Sequence, residues 1–186
     1  MVNGLKVMCI GGKDSTGLAG LDQDRRTVEA LGCDFLPVVT ARTLQDPTSE
    51  QSVSFESPQD VLGAIQHGLC TEIAAIKIGM LGSLEIVEAV KTALKEFRGP
   101  VVLDPVLMAS SGLVLLQRNA WSALKVLADR CTLVTPNLAE FEALGGAHWP
   151  IQVPLLLKGG HGEGETLVDR LIWPDGETFQ KSHRHL

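Results

Sequence analysis

The stretches that decide the fold are V-T-P-N-L-A-E at residues 134–140 and L-K-G-G-H at residues 157–161. Each begins where a short apolar run ends, and such runs are typical of parallel strands buried on both faces. Ligands of open α/β sheets bind at the carboxyl ends of the strands. The amide of Asn137, the carboxylate of Glu140 and the ammonium of Lys158 are therefore expected where a ligand would sit. A carboxylate can hold a metal and a lysine can meet a phosphate as a point charge, which suggests nucleotide-phosphate chemistry.

Strand-like and helix-like segments alternate along the whole chain, which predicts an α/β domain with a mainly parallel central sheet flanked by helices. The predicted strands cover 6–10, 35–40, 73–78, 101–103, 133–135 and 155–157, and the predicted helices cover 18–31, 58–69, 84–97, 119–129 and 138–144. The first helix would bury a stripe of Leu18, Leu21, Val28 and Leu31. Residues 41–57 are polar and predict a connection, and residues 165–180 predict a short hairpin.

Composition limits the function classes. The 186 residues are 45% hydrophobic, enough for one domain with a sizeable core. The net charge of −6 gives no reason to expect nucleic acid or an anionic membrane as a partner. The N-terminus lacks signal-peptide features and no run is long enough to span a bilayer, so a cytoplasmic protein is expected. The cysteines show no C-x-x-C pair, and Cys9, Cys70 and Cys131 are predicted to be small buried hydrophobic residues.

The segment 11–20 joins the first predicted strand to the first helix and is rich in glycine, which lets a backbone approach a ligand closely. It is not a dinucleotide fingerprint, because the spacing of the glycines differs. It is not a P-loop either, since Leu18 stands where that motif needs lysine. By itself the segment is consistent with a tight turn. Asp104, which ends another apolar strand, could hold Mg²⁺ or could cap a turn.

Seven motifs lie in a fixed order at the predicted strand ends. They are G-x-D-S-x-G-x-A-G at 12–20, T-A-x-x-x-Q at 40–45, K-I-G-M-L-G at 77–82, L-D-P-V at 103–106, S-G at 111–112, T-P-N-L-x-E at 135–140 and K-G-G-H at 158–161. Taken together they resemble the hydroxymethylpyrimidine/phosphomethylpyrimidine kinases of the ribokinase-like superfamily, which serve thiamine biosynthesis. The resemblance covers nearly the whole chain and implies a ribokinase-like fold. It also implies ATP-dependent phosphorylation of 4-amino-5-hydroxymethyl-2-methylpyrimidine, of its monophosphate, or of both.

The resemblance implies a pyrimidine pocket around Gln45. A primary amide can donate to a ring nitrogen and accept from an amino group, so Gln45 would bind the aminopyrimidine ring. The other residues implied for this pocket are Ala19, Gly20, Asp24, Met80 and Val106.

The resemblance also implies the site for ATP and Mg²⁺. Asp104 and Glu140 would organise Mg²⁺. Asn137, Lys158 and Gly160 would lie near the nucleotide phosphates. Phosphoryl transfer depends mainly on positioning and charge neutralisation, which this set of residues could supply.

This sequence departs from the family pattern at Lys13 and Leu18, where small residues are usual, and at its end. The family's Gly-Thr-Gly-Cys loop, which carries the anion hole and the candidate base, would follow Leu186. The catalytic base is therefore expected beyond Leu186, and no residue of this sequence is assigned that role. Residues 1–186 are expected to be a single kinase domain truncated before that loop and its helix, with very low activity as written.

Two alternatives to this kinase remain open. One is a pyridoxal-type or other small-alcohol kinase, and the other is a pyrimidine-binding module without turnover. Members of the resembled family are often dimeric, which also leaves a homodimer open.

Overall fold

The computed structural model describes residues 4–44, 52–159 and 166–184. The strands are β1 (Lys6–Asp14), β2 (Asp34–Leu44), β3 (Ser52–Phe55), β4 (Ala75–Ile78), β5 (Val101–Leu103), β6 (Leu133–Val134), β7 (Leu155–Leu157), β8 (Thr166–Ile172) and β9 (Thr178–Arg184). They form one sheet in the order β3-β2-β1-β4-β5-β6-β7-β8-β9. The strands from β2 to β7 in this order are parallel, whereas β3, β8 and β9 pair antiparallel. The predicted α/β domain with a mainly parallel sheet is confirmed.

Helices connect the parallel strands, and two of them begin at serine caps. The α-helices are α1 (Gly20–Ala30), α2 (Pro58–Leu69), α3 (Leu84–Ala93), α4 (Trp121–Ala128) and α5 (Leu138–Ala143), with 3₁₀ turns at Arg118–Ala120 and Gly146–His148. The hydroxyl of Ser57 accepts a hydrogen bond from the backbone N–H of Asp60 at 3.1 Å. The hydroxyl of Ser83 does the same for Ile86 at 3.3 Å. Each cap satisfies a backbone donor that the first turn of a helix leaves without a partner.

Both faces of the sheet are covered, as expected for parallel strands. Met8 and Ile10 of β1 face the large core that α2, α3 and α4 close. Cys9, which lies between them, faces the opposite side and packs with Leu21 and Val28 of α1. Because successive side chains of a strand point to opposite faces, one strand contributes to both cores.

The predicted start and end of the first helix are wrong. Helix α1 begins at Gly20 rather than at residue 18, and Leu18 and Leu31 are 76% and 69% exposed instead of lying on its buried stripe. The cause is the preceding loop, in which the Asp14 carboxylate accepts a hydrogen bond from the backbone N–H of Thr16 at 3.3 Å. The backbone N–H of residue 17 also donates to the carbonyl of Asp14 at 3.1 Å, which closes a turn and delays the helix.

The predicted polar connection over 41–57 is also wrong in part. Strand β2 extends to Leu44, and Ser52–Phe55 pairs with its end as an antiparallel edge strand. Strand β3 is short and largely exposed, but its four residues, S-V-S-F, do alternate between polar and apolar, so the sequence carried a signal that the prediction missed. The predicted hairpin after residue 165 is confirmed as β8 and β9.

All four cysteines are free. Cys9 and Cys131 are buried as predicted, but Cys70 is exposed. Cys70 caps the carboxyl end of α2, where its thiol donates to the carbonyl of Gln66 at 3.4 Å rather than packing in the core. Separately, the helices of the described ranges include none with the length and apolar character needed to cross a membrane.

Candidate active site

A cavity of about 540 Å³ opens at the carboxyl end of the parallel sheet, between the loop that follows β1 and the segment that follows β5. Its lining includes five of the six residues assigned by resemblance to the pyrimidine pocket, namely Ala19, Gly20, Asp24, Met80 and Val106. Asp104 also lines it. The cavity has the size of a small-molecule site.

Two glycines allow the end of β1 and the start of α1, with the loop between them, to form a wall of this cavity. A Cβ at Gly12 would meet the sulfur of Met80 at 2.6 Å, so the absence of a side chain lets the backbone at the end of β1 lie against Met80. Gly20 has a φ of +59°, and a Cβ there would meet the carbonyl oxygen of Gly12 at 2.3 Å. A residue with a side chain would therefore be both strained and in collision at position 20. Arg26 of α1 fastens the same loop by donating to the carbonyl of Gly17 at 2.6 Å.

The floor of the cavity carries an ion pair whose cation was not assigned from the sequence. The Nζ atom of Lys77 lies 2.9 Å from each carboxylate oxygen of Asp24. Their side chains are 29% and 17% exposed, so the pair is largely removed from water. The sequence feature that could have indicated this role is the position of Lys77 within the otherwise apolar strand A-I-K-I. Beneath the pair, burial raises the pKa of the Cys9 thiol to about 12, and the Asp24 charge acts in the same direction. Cys9 therefore stays a neutral core residue.

A second ion pair joins the ends of two more strands. Asp104 follows β5, and Lys158 follows β7, yet the Lys158 ammonium lies 2.8 Å from the Asp104 carboxylate. The two side chains are 36% and 26% exposed, in the order Lys158 and Asp104. The pairing of β5 with β6 and of β6 with β7 carries Lys158 to this position. The structure thus brings together two residues separated by 54 positions, at the end of the sheet where the sequence placed both.

Asn137 and Glu140 form the cap of helix α5. The Asn137 side-chain oxygen accepts from the backbone N–H of Glu140 at 2.9 Å, and the Glu140 carboxylate accepts from the backbone N–H of Asn137 at 2.8 Å. This reciprocal arrangement is a capping box. Burial raises the pKa of the Glu140 carboxyl, and Asp104 adds to the rise, while the Asn137 N–H and Lys158 oppose it. An isolated parallel bridge between Asn137 and Lys158 places this cap beside the ion pair.

Asn137 and Glu140 line a neighbouring cavity rather than the first one. This second cavity has a volume of about 520 Å³ and shares Met108, Ala109 and Ser110 with the first. Its wall also includes Trp121, whose buried indole N–H has no hydrogen-bond partner among the described residues. The arrangement provides two adjoining spaces, with the Asp104–Lys158 pair close to both.

Three positions named from the sequence lie outside the described residues. Gln45 was assigned by resemblance to the pyrimidine ring and Gly160 to the phosphates. Leu186 is the position beyond which the catalytic base is expected. The roles of Gln45 and Gly160 and the place of the base after Leu186 therefore stay predictions.

The donor set is compatible with Mg²⁺ carried by a nucleotide. Mg²⁺ is usually held by one or two carboxylates together with substrate phosphates and water, rather than by a complete cage of protein ligands. Asp104 pairs with Lys158, and Glu140 caps the helix whose Asn137 bridges to Lys158, so both carboxylates lie near this lysine's segment. Within the described ranges there is no cluster of three or more histidine, cysteine, aspartate or glutamate side chains that could hold a metal ion.

Open parallel sheets bind small ligands at their carboxyl ends, and here that end combines a small-molecule cavity with a carboxylate–lysine pair suited to phosphate. These features are those of an α/β phosphotransferase, and the architecture is ribokinase-like. The chain belongs to the phosphomethylpyrimidine kinase family, whose model matches residues 14–186.

Individual relatives agree with the family. The chain is 34% identical over 203 aligned residues to the hydroxymethylpyrimidine/phosphomethylpyrimidine kinase of Haemophilus influenzae, covering 96% of this chain and 74% of that protein. The crystal structure of phosphomethylpyrimidine kinase from Clostridium difficile superposes with a TM-score of 0.80 at 29% identity, covering 97% of this chain and 84% of the other. Bacillus subtilis pyridoxal kinase, solved as an ADP complex, gives 0.85 at 23% identity over 98% and 76% of the two chains, and this likeness concerns the fold alone.

Proposed function

We propose that this protein uses ATP to phosphorylate 4-amino-5-hydroxymethyl-2-methylpyrimidine, its monophosphate, or both, as a step in thiamine biosynthesis. The observation that carries the proposal is the 540 Å³ cavity, which is lined by Asp24 and Met80 and reaches Asp104 beside Lys158. Family membership supports the same reaction, since the matching relatives are named as kinases of this pyrimidine.

In this proposal the cavity binds the pyrimidine ring and Lys158 serves the phosphate. Met80 and Val106 give the cavity apolar walls for a flat ring, and the Asp24 carboxylate offers an acceptor for its amino group. Gln45 is proposed as a second contact to the ring. With the alcohol, the transfer forms a bond between the hydroxymethyl oxygen and the γ-phosphorus, breaks the bond from that phosphorus to ADP, and releases the hydroxyl proton. With the monophosphate, a phosphate oxygen of the substrate forms the new bond to the γ-phosphorus while the bond to ADP breaks.

Lys158 would neutralise phosphate charge, and its partner Asp104 would hold the ammonium in place. Asp104 and Glu140 would hold Mg²⁺, with Asn137 and Gly160 near the phosphates. When bound, Mg²⁺ supplies positive charge against the phosphoryl oxygens. A cation here would also favour the charged form of Glu140, opposing the rise in its pKa that burial causes.

Compartment and assembly belong to the proposal as well. Four free cysteines, two of them not buried, suit a reducing compartment such as the cytoplasm. A homodimer is proposed by analogy with the family, and sedimentation of the purified protein measures it directly.

The test is a substrate panel with ATP, run at high protein concentration and long incubation because residues 1–186 are expected to turn over very slowly. ADP release is coupled to NADH oxidation, and products are identified by ³¹P NMR. The panel contains the free pyrimidine alcohol, its monophosphate and pyridoxal. We expect phosphorylation of one or both pyrimidines at a higher kcat/KM than pyridoxal. Preference for pyridoxal would replace the proposal with the pyridoxal-kinase alternative. Calorimetric binding of the pyrimidine without any ATP consumption would support a binding module instead.

A matched pair of variants tests the site. Lys158→Met should lower kcat/KM by about 10²–10³, the usual effect of removing one group that stabilises transition-state charge. Lys181→Met removes an exposed lysine from β9 and should leave kcat/KM unchanged. Full activity in Lys158→Met would show that the phosphate contact lies elsewhere.

A further inference from the structure

A separate cavity of about 360 Å³ lies at the opposite end of the sheet. Its lining includes Val101, the first residue of β5, and Thr132, which precedes β6. Their hydrogen bonds, from Thr132 N–H to the Val101 carbonyl at 2.7 Å and from Val101 N–H to the Thr132 hydroxyl at 3.0 Å, join the amino ends of the two strands. The cavity is therefore distinct from the site beside Asp104, which lies at the carboxyl end of β5.

The charge of this cavity is opposite to that of the protein. The side chains of Lys91, Arg98 and Arg130 line it, and none of its described lining residues is an aspartate or glutamate. The whole chain carries a net charge of −6. A concave surface with three basic groups and no acidic lining is a local exception that favours an anionic ligand.

Two of the basic groups are held close to each other by one acceptor. Arg98 donates from Nη1 to the carbonyl of Lys95 at 2.9 Å, and Arg130 donates from Nη2 to the same oxygen at 3.2 Å. Arg98 belongs to the turn after α3, whereas Arg130 belongs to the turn after α4. Two guanidinium groups from separate segments therefore converge on one neutral oxygen, although like charges repel.

The carboxylates near the cavity neutralise little of the positive charge of Arg98 and Arg130. Lys91 is paired with Glu88 at 2.8 Å. Arg98 lies 3.3 Å from Glu96, but the two side chains are 73% and 80% exposed, and pairs so exposed contribute little. Arg130 has no carboxylate within ion-pair distance in the part of the chain that the structure describes. Arg98 and Arg130 are thus the groups that an anion would meet.

We propose that this cavity binds a small phosphomonoester, with Arg98 and Arg130 contacting the phosphate and Leu94, Phe97 and Cys131 contacting the apolar part of the ligand. A phosphomonoester carries a charge close to −2 near neutral pH, which matches two guanidinium groups. The planar donor fork of arginine also suits the oxygens of a phosphate. Burial raises the pKa of the Cys131 thiol to about 12, so binding is non-covalent.

The probe for this site is phenyl phosphate, titrated calorimetrically into the purified protein at low ionic strength. Arg98→Ala combined with Arg130→Ala should weaken its affinity about tenfold or more, because charge-assisted hydrogen bonds are lost. The control combines Arg25→Ala with Arg170→Ala, two exposed arginines elsewhere, and should keep the wild-type affinity. Arg98→Lys combined with Arg130→Lys retains the charge and the fold but loses the fork, and should weaken binding by a smaller factor.

Two further measurements separate this site from the proposed kinase site and from other anions. Lys158→Met should still bind phenyl phosphate in the cavity lined by Arg98 and Arg130, whatever the effect on its kinase activity. Benzoate, which has one charge and the same ring, should bind more weakly than phenyl phosphate. Unchanged affinity in both arginine double variants, loss of binding in Lys158→Met alone, or no binding to the wild type would overturn the proposal. Equal affinity for benzoate would overturn the assignment to phosphate.

Discussion

Removing either partner of the Lys77–Asp24 ion pair should destabilise the protein measurably, although the pair lies at the floor of a cavity. The Lys77 ammonium contacts both carboxylate oxygens at 2.9 Å, and the side chains are 29% and 17% exposed. Lys77→Met and Asp24→Asn each remove one charge at similar volume. Each single variant leaves the other charge without its partner in a partly desolvated position, whereas the double variant removes both charges.

The expected loss in the free energy of unfolding lies between two limits. Exposed ion pairs contribute about 0–1 kcal/mol, and breaking a fully buried pair costs about 3–5 kcal/mol. Since these side chains retain roughly a fifth to a third of their exposure, we expect each single change to cost about 2 kcal/mol. The double variant should cost less than the sum of the two single changes, with a coupling free energy of about 1–2 kcal/mol.

The assay is urea unfolding of the four proteins of the cycle, followed by circular dichroism at one pH and ionic strength. The matched control is the same cycle on Arg42 and Glu56, which lie at a similar distance of 3.0 Å but are 54% and 33% exposed. That pair should couple by about 0.5 kcal/mol or less. If the two cycles gave equal coupling, burial would not be what strengthens the Lys77–Asp24 pair, and the reasoning would be wrong.

Three further predictions concern neighbouring positions. Gly12→Ala places a methyl group 2.6 Å from the Met80 sulfur, so it should lower the free energy of unfolding by about 1–3 kcal/mol and raise the KM for the pyrimidine. Urea unfolding and steady-state kinetics measure the two effects, and unchanged values for both would contradict the contact. Asn137→Ala removes the cap of α5 and should cost about 1 kcal/mol in urea unfolding, whereas Asn137→Asp should retain most of the stability. The raised pKa of Glu140 means that the folded protein holds a proton which the unfolded chain releases above pH 4.5, so its stability relative to Glu140→Gln should fall as the pH rises through and above that value. Unfolding free energies measured across a pH series should show this decline, and a constant difference between the two proteins would contradict the raised pKa.

The sequence predicted the sheet well where strands are buried on both faces. Strands β5 and β7 have the predicted bounds, because three apolar residues stand between clear breaks. The prediction failed for the exposed strand β3. It also failed for the start of α1, which is determined by the preceding loop rather than by an apolar pattern. Leu18 fits a helical stripe by spacing alone, but the turn stabilised by the Asp14 carboxylate keeps it outside the helix.

The sequence predicts the positions of those candidate-site residues that directly follow a strand. Asp104 and Lys158 could be placed together because parallel strands present their carboxyl ends at the same side of the sheet. The partnership of Lys77 with Asp24 could not be predicted, since it depends on how α1, which packs on β1 and β2, is placed relative to β4. Glu140 both caps α5 and is buried. The spacing N-x-x-E indicates the capping box, but the burial of the carboxylate depends on packing.

The order of strands in the sheet has a consequence for how the chain acquires its site during synthesis. From β1 onward, β4, β5, β6 and β7 join in sequence on one side, so each new strand finds its neighbour already made. Every lining residue of the 540 Å³ cavity lies between positions 11 and 115. Lys158 arrives only with the last parallel strand. Synthesis from the amino end therefore supplies every residue that lines the small-molecule cavity before it supplies Lys158, the charge that we propose contacts the phosphate.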